Sequence, residues 1–245
     1  MLDYLYQYLI TAIPINILEI SVAISGSYFL YKNPNTLIIN RYLVYFLWFT
    51  FFTEMIGKYA ALAYFTNYEY LGFIKDTVFE RSFWLYNIYT IISFSFFGYY
   101  FTTLLNSNKL KKRFLFINIL YLIIGIINLT ISDIFFKGNS VYTSIAGTIL
   151  FLSIIMFFYF DLLQSDIVLD IKKHLPMYIS IGVLVYFLCL TPLDIFSQYY
   201  KTVNKTYVKL RSNIFLFTNI FMYGTFIIGF IVCAKSNSNK EEILN

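Results

Sequence analysis

The stretch YLVYFLWFTFFTEMIGKYAALAYFT, residues 42–66, decides the fold class of this chain. Only Glu54 and Lys58 are charged within it. A helix needs about 20 mostly apolar residues to cross the hydrocarbon core of a bilayer, and this stretch is longer than that. It therefore predicts a membrane-spanning helix that carries two charged side chains into the bilayer.

The composition of the whole chain supports the same interpretation. Of the 245 residues, 59% are hydrophobic and 13% are charged, whereas about a quarter of the residues in a soluble domain are charged. A soluble fold could not cover so much apolar surface, and a disordered chain would need low hydrophobicity. The lipid bilayer is therefore the expected environment of the chain.

Seven segments are long and apolar enough to be membrane spans. They lie near residues 9–31, 42–66, 83–105, 114–130, 141–160, 176–194 and 212–234. The tails and connecting segments are shorter than the roughly 50 residues that a folded domain needs. We therefore predict an all-α polytopic membrane protein, a seven-transmembrane-helix bundle that forms one domain over residues 1–245.

The positions of Lys and Arg favour one orientation of this bundle. With the N-terminus outside, ten of the 18 basic residues fall in the predicted inner loops and C-terminal tail, and seven fall in the outer loops. The densest cluster, KLKKR at 109–113, is typical of contact with anionic lipid headgroups. We therefore expect the N-terminus outside, the C-terminus inside, and no nucleic-acid partner.

Ionisable residues inside predicted spans are the strongest functional signal. Glu19 lies about halfway along the first span, and Glu54 about halfway along the second, with Lys58 four residues further on. A charge at mid-bilayer costs at least about 2.5–3.5 kcal/mol, so such residues suggest a functional site. Glu54 and Lys58 are expected to neutralise each other on one helix face. A purely structural pairing of these charges is the alternative.

Small and polar residues on the same helix faces predict that both glutamates point into the bundle. The face around Glu19 and the face around Glu54 carry residues that let helices approach closely: Ala12, Asn16, Ala23 and Gly26 on the first, and Thr50, Gly57 and Ala61 on the second. The first two spans are therefore expected to pack together, with both glutamates at similar depth.

Two further predicted spans add polar candidates. Tyr86 and Asn87 lie in the third span and Asn219 in the seventh. The complete candidate set for a ligand or ion pocket is Glu19, Glu54, Lys58, Tyr86, Asn87 and Asn219. In the predicted topology these residues outline a polar pocket in the outer half of the bundle. Structural hydrogen bonding between spans is the alternative interpretation of each asparagine.

Several kinds of chemistry have no support in the sequence. Cys189 and Cys233 lie near opposite faces of the predicted bundle, too far apart for a disulfide. The single His174 cannot form a bis-histidine haem site or a histidine-cluster metal site. No P-loop, GxSxG or HExxH motif occurs. We expect no metal, no cofactor and no enzymatic activity.

The segment that links the last two predicted spans admits two conformations. Its sequence, QYYKTVNKTYVKLRS at 198–212, alternates around Asn204 as a hairpin does. The spacing of its apolar residues also fits a basic amphipathic helix on the membrane surface. Just before it, Pro192 is expected to end the sixth span.

Three stretches resemble a group of small seven-span membrane proteins of Bacteroidota. These are LEISVAISGSYFLYKN (18–33), YFLWFTFFTEMIG (45–57) and FWLYNIYTIISFSFFGYYF (83–101). The resemblance covers roughly the first hundred residues and includes Glu19, Glu54, Trp84, Tyr86 and Asn87 in their local contexts. It implies a bacterial inner-membrane protein and no particular activity.

Three functions are compatible with these features. The first is a sensory or signalling module that binds a small ligand in the outer pocket and acts on a separate membrane or cytoplasmic protein partner. The second is a proton- or cation-coupled transporter or channel that uses Glu19 and Glu54; the lack of internal repeats and the scarcity of Gly and Pro in the spans count against it. The third is a structural or assembly subunit of a membrane complex.

Overall fold

The computed structural model describes residues 2–197 and 205–244, and this part of the chain is helical without any β-strand. Seven helices have 20 or more residues: α1 (Leu2–Lys32), α2 (Ile38–Gly57), α4 (Phe83–Leu104), α5 (Asn108–Ile131), α7 (Val141–Leu163), α8 (Leu175–Ser197) and α9 (Lys205–Leu244). Two helices are shorter, α3 (Tyr59–Phe65) and α6 (Ile134–Lys137). Short 3₁₀ segments lie at Gly72–Ile74 and Asp166–Lys173.

Five helical segments are long and apolar enough to cross a membrane. They are Ala12–Lys32, Asn108–Ile131, Val141–Leu163, Leu175–Phe196 and Thr206–Lys235. The chain is therefore a multi-pass membrane protein, and its described residues form helices without any strand. Helices α2 and α4 are of similar length but are not among these five segments; α2 contains Arg41 and Glu54, and α4 contains four tyrosines.

Six of the long helices form a closed ring. Around the ring the neighbours are α1, α2, α4, α7, α8 and α9, and α9 closes it by packing against α1. Helix α5 lies outside the ring against α4 and α7. Its outward face exposes a row of isoleucines that includes Ile119, Ile123 and Ile127. Such a face is expected where lipid tails, rather than water, surround the protein.

Pairs of contacting residues show the direction of neighbouring helices. Tyr86 near the start of α4 contacts Glu54 near the end of α2, and Tyr100 near the end of α4 contacts Asn40 near the start of α2. The two helices are therefore antiparallel. Helix α2 ends at the same end of the bundle at which α4 begins. We call this end, marked by Gly57, the Gly57 end.

A small residue allows close packing where α1 meets α2 and α9. Gly26 of α1 faces Val44 of α2 and Phe230 of α9, and a Cβ atom at Gly26 would lie 2.9 Å from Cγ2 of Val44. A side chain at this position would require Val44 or Phe230 to move. The prediction that α1 and α2 pack together through small residues is confirmed at this crossing.

The helix predicted over 42–66 is interrupted in the structure. Helix α2 ends at Gly57, Lys58 forms the junction, and α3 begins at Tyr59. Glycine is a poor helix former, and the ring of Tyr86 occupies the space beside Gly57. The expected continuous span is therefore wrong, and α2 instead begins earlier, at Ile38.

The prediction that Pro192 ends the sixth span is wrong. Helix α8 continues through Pro192 to Ser197. Proline removes one backbone donor from a helix, but neighbouring helices stabilise such sites in membrane proteins. Here the hydroxyls of Thr191 and Thr148 lie 2.7 Å apart, and the hydroxyl of Tyr207 donates to the carbonyl of Leu193 at 2.8 Å.

Of the two conformations left open for the segment after α8, the described residues do not form the hairpin. Residues 205–211 belong to α9, which agrees with the helical alternative for this half of the segment. The other half, residues 198–204, lies outside the described residues.

Candidate functional site

The ring of six helices surrounds a polar cavity of about 120 Å³. Three carboxyl groups line it, from Glu19 of α1, Glu54 of α2 and Asp194 of α8. Three tyrosines also line it: Tyr89, Tyr186 and Tyr223. A volume of this size accommodates a few water molecules or one small ligand.

Glu19 is the most deeply buried of the carboxyl groups, with 2% of its surface exposed. The hydroxyl of Tyr223 donates to Glu19 Oε1 at 3.3 Å. Glu19 Oε2 is buried and has no hydrogen-bond partner among the described residues. An unpaired buried polar atom costs about 1–3 kcal/mol, and more when it is charged. This oxygen therefore calls for a proton, a water molecule or a bound ligand.

Glu54 is held by a tyrosine from the neighbouring helix. The hydroxyl of Tyr86 on α4 donates to Glu54 Oε2 at 3.1 Å. Tyr86 reaches this position because Gly57, one turn after Glu54, has no side chain. A Cβ atom at Gly57 would lie 2.5 Å from the Tyr86 hydroxyl oxygen. Gly57 thus makes room for the residue that holds Glu54.

Lys58 does not pair with Glu54, contrary to the expectation from their i, i+4 spacing. Its Nζ donates to Oδ1 of Asn16 on α1 and lies 3.7 Å from Sδ of Met55. No ion pair within 4.0 Å involves Lys58 in the part of the chain that the structure describes. The amide oxygen of Asn16 provides an uncharged acceptor at the helix junction and replaces the carboxylate.

Asn87 lies away from the cavity and holds a loop. Its Nδ2 donates to the carbonyl oxygens of Phe135 and Gly138, at 3.1 and 2.8 Å. Its Oδ1 accepts from the backbone N–H of Ser140 at 2.9 Å. The amide therefore fixes the connection between α6 and α7, and this arrangement is the structural alternative that the sequence left open.

The structure thus brings three of the six candidates to one cavity. Glu19, Glu54 and Asn219 line it, and the amide nitrogen of Asn219 donates to the carbonyl of Phe215 at 2.8 Å. Tyr86 contributes through its hydrogen bond to Glu54. Lys58 and Asn87 do not line the cavity; Lys58 donates to Asn16 instead.

Asp194 is a cavity residue that was not among the candidates predicted from the sequence. It forms an ion pair with Arg211 of α9, with Nη2 and Oδ1 3.3 Å apart. Tyr186, Leu190 and Asp194 all line the cavity at helical spacing on α8. That spacing could have indicated that Asp194 shares a helix face with Tyr186. It was not used because the sixth span was expected to end at Pro192.

Tyr89 and Tyr186 also line the cavity without having been among the predicted candidates. The hydroxyl of Tyr89 lies 3.1 Å from the hydroxyl of Thr50, so these side chains join α4 to α2 beside Glu54. The chain contains 24 tyrosines, and tyrosine is common at membrane interfaces. The sequence alone therefore gave no means of separating the cavity tyrosines from the others.

Aromatic rings close one side of the cavity. Phe94, Phe97 and Phe187 line it, and the rings of Phe94 and Phe187 are stacked with centroids 4.2 Å apart. Beyond them, the Phe151 ring lies 5.3 Å from that of Phe187 and 5.8 Å from that of Phe101. The polar cavity therefore belongs to the half of the bundle nearer the Gly57 end, and packed phenylalanines fill the space beyond it.

A second, wider groove of about 1070 Å³ lies on the outside of the ring. Its walls are apolar side chains of α4 and α5, and its edge carries Arg81, Asp133 and Lys137. Lys137 Nζ and Asp133 Oδ2 are 2.8 Å apart. This hydrogen bond and the charge of Lys137 hold the pKa of Asp133 below its usual range. Apolar walls with a charged edge match the apolar tail and polar headgroup of a lipid. The groove therefore fits a surface that faces the bilayer.

Comparison with known proteins finds no matching family, no similar curated protein and no similar solved structure. The resemblance to the seven-span proteins of Bacteroidota therefore stays a prediction. No group of three His, Cys, Asp or Glu side chains among the described residues is close enough to hold a metal ion.

Proposed function

We propose that the protein is a seven-span sensory or signalling module that binds a small ligand in the cavity of its helix ring. The observation that carries this proposal is the buried, unpartnered Oε2 of Glu19 in a cavity lined by six helices. Every helix of the ring contributes at least one residue to the lining of this cavity. Binding of a ligand can therefore change how the helices pack against one another.

The position of α2 and α4 in the ring supports seven spans. In the ring, α2 and α4 pack against each other. Their other neighbours are α1 and α7, both of which are apolar enough to cross the membrane. Helix α2 has 20 residues, which at 1.5 Å per residue gives about 30 Å, the thickness of the hydrocarbon core. Their polar residues reach the ring interior, where Glu54 and Tyr89 line the cavity.

The distribution of basic residues supports an orientation with the N-terminus outside. In that orientation the Gly57 end faces outward and the cavity lies in the outer half of the bundle. The opposite end carries short connections such as residues 105–107 and 164–174. These connections offer a surface to which a separate membrane or cytoplasmic partner can bind. In the proposed function the protein lies in the inner membrane and passes its signal to that partner.

The packed phenylalanines beyond the cavity favour binding over conduction. A continuous channel needs a polar path through both halves of the bundle, whereas Phe94, Phe97, Phe151 and Phe187 fill the bundle next to the cavity. The second candidate is a proton- or cation-coupled transporter. Glu19 favours it, because buried carboxyl groups in membranes act in proton relays.

Two measurements on the full chain test the proposal. Native mass spectrometry of protein extracted with its own lipids should show a retained small molecule, and Glu19→Gln should reduce its occupancy at least tenfold. Glu69→Gln is the matched control, because Glu69 is an exposed carboxylate of the connecting segment before α4. Proton flux into liposomes should not differ between the two variants.

The outcomes separate the candidates. Flux that Glu19→Gln abolishes and Glu69→Gln leaves intact would overturn the sensory proposal in favour of transport. Protein that retains neither a small molecule nor a partner, and shows no flux, would contradict both. If both variants retained the small molecule equally, its binding site would lie outside the cavity.

A further inference from the structure

We infer that the ligand of the cavity is a small organic ammonium ion, which gives the proposed function a ligand class and rests on it. The inference combines the charge of the cavity, the aromatic rings that line it and its size. Each of these is a separate property of the site, and together they exclude most other small ligands.

Two of the three carboxyl groups in the cavity, those of Glu19 and Glu54, have no basic side chain paired with them among the described residues. Tyrosine hydroxyls donate to Glu19 and Glu54, but neither glutamate forms an ion pair within 4.0 Å among the described residues. Lys58 donates to Asn16, and Arg211 pairs with Asp194, the third carboxyl group of the cavity. A buried carboxyl group takes up a proton or gains a compensating charge, so a cation that enters the cavity can pair with Glu19 or Glu54, whereas an anion is repelled.

The aromatic lining distinguishes an organic cation from a metal ion. Faces of phenylalanine and tyrosine rings attract ammonium groups within about 6 Å. Here Phe46, Phe94, Phe187 and Phe226 line the same cavity as Glu19 and Glu54. Hard metal cations need six to eight converging oxygen ligands, whereas the carboxyl groups of this cavity are spread over three helices. Carboxylates combined with aromatic faces suit a cation that carries apolar groups.

The size of the cavity limits the ligand to a few heavy atoms. Its volume is about 120 Å³, well below the roughly 300–1,000 Å³ of pockets that bind drug-sized molecules. With about 30 Å³ for each water-sized group, it holds about four such groups. Methylammonium, with two heavy atoms, lies within this limit, and tetramethylammonium, with five, lies at its upper end.

The buried oxygen of Glu19 gives the ammonium ion a defined partner. Oε1 already accepts from Tyr223, and Oε2 has no partner among the described side chains. An N–H of a primary ammonium would donate to Oε2, and a quaternary ammonium would approach it through charge alone. Both would place their alkyl groups against the aromatic lining.

The test uses the full chain in nanodiscs of its native lipids and follows thermal unfolding. Tetramethylammonium and methylammonium chloride are titrated at constant ionic strength, with sodium chloride as the inorganic control. The neutral tert-butanol, of similar size to tetramethylammonium, is the control for shape. At least one ammonium should raise Tm by several degrees in a saturable manner, because a ligand that binds only the folded state stabilises it, and the controls should not.

Variants connect the effect to the cavity. Glu19→Gln, which keeps the shape of the side chain, should remove at least nine-tenths of the shift, and Glu19→Asp should restore part of it. Glu69→Gln is exposed and should keep the full shift. Circular dichroism and the Tm without ligand show whether each variant is folded. Phe187→Leu removes a lining ring and should weaken the response to tetramethylammonium if Glu19→Gln fails to fold.

The possible results distinguish this inference from the proposed function. An equal shift with sodium would overturn the ammonium class in favour of an inorganic cation. An equal shift with tert-butanol would show that charge plays no part. No shift with any cation, while the extracted protein still retains a molecule that depends on Glu19, would contradict the ammonium class and leave the sensory proposal standing.

Discussion

Tyr223 on the last helix donates a hydrogen bond to Glu19 on the first helix, over 3.3 Å and across 204 positions of the sequence. This contact joins α9 to α1 at the point where the helix ring closes. It also gives one oxygen of Glu19 a partner, whereas the other, Oε2, is buried without one among the described residues, and Glu19 lines the cavity. One hydrogen bond thus contributes both to the closure of the fold and to the geometry of the candidate site.

Tyr223→Phe should therefore destabilise the bundle more than the loss of an exposed hydroxyl. The substitution removes a donor from a buried carboxyl group, and we expect a loss of about 1–3 kcal/mol in the free energy of unfolding. Tyr178→Phe is the control, because the Tyr178 hydroxyl donates to the carbonyl of Lys172 at an exposed position. Unfolding in mixed micelles with increasing denaturing detergent measures both. Equal effects of the two substitutions would contradict the assigned role of Tyr223.

Gly57→Ala should disturb the candidate site through Tyr86. The new Cβ atom would lie 2.5 Å from the Tyr86 hydroxyl oxygen and 2.8 Å from its Cζ, so the ring must move away from Glu54. We expect a destabilisation of about 1–3 kcal/mol from overpacking and weaker ligand retention. Gly72→Ala is the control, because nothing lies within 4 Å of a Cβ atom at that position.

A double-mutant cycle shows whether Gly57 acts through Tyr86. Substitutions in direct contact are not additive, so Gly57→Ala should cost much less when Tyr86 is already alanine. The free energy of unfolding of the two single variants and the double variant measures this coupling. Additive effects would mean that the glycine matters for another reason, such as the end of α2.

Asn87→Ala should loosen the connection between α6 and α7 without affecting the cavity. The substitution removes partners from the carbonyls of Phe135 and Gly138 and from the N–H of Ser140. We expect a loss of about 1–3 kcal/mol for the groups that stay buried and faster hydrogen exchange at the Ser140 amide. Ligand retention should stay at the level of the unmodified protein. A loss of ligand retention in this variant would show that Asn87 contributes to the candidate site.

The sequence predicted the fold class and part of the site because both depend on properties of single residues. Glu19 and Glu54 were identified because a charge inside an apolar helix is costly wherever the helix packs. Asp194 and the cavity tyrosines were not, because their role depends on which helices become neighbours. The contact of Tyr223 with Glu19 joins residues 204 positions apart. No local sequence pattern indicates a contact between residues so far apart in the chain.

The helix junction at Lys58 shows a second limit of local patterns. The spacing of Glu54 and Lys58 predicted an ion pair on one helix face, and it contains no information about α1. In the folded bundle Asn16 of α1 accepts the hydrogen bond from Lys58 instead. A rule for isolated helices therefore failed where a third helix offered another partner.

His174 should make the stability of the bundle depend on pH. Its ring stacks on Phe158, with centroids 6.3 Å apart, and its Nδ1 is buried without a partner among the described residues. Burial lowers the pKa of His174 below its usual value of 6.5. Below pH 6.5 the unfolded chain therefore binds more protons than the folded one, so stability falls as the pH decreases. The stabilisation is complete above pH 6.5 and is lost as the pH falls towards the lowered pKa.

Thermal unfolding at pH 7.5 and pH 5.5 should show a decrease in Tm that His174→Phe reduces, because phenylalanine preserves the stacking and does not titrate. An unchanged pH dependence in that variant would assign the effect to the carboxyl groups instead.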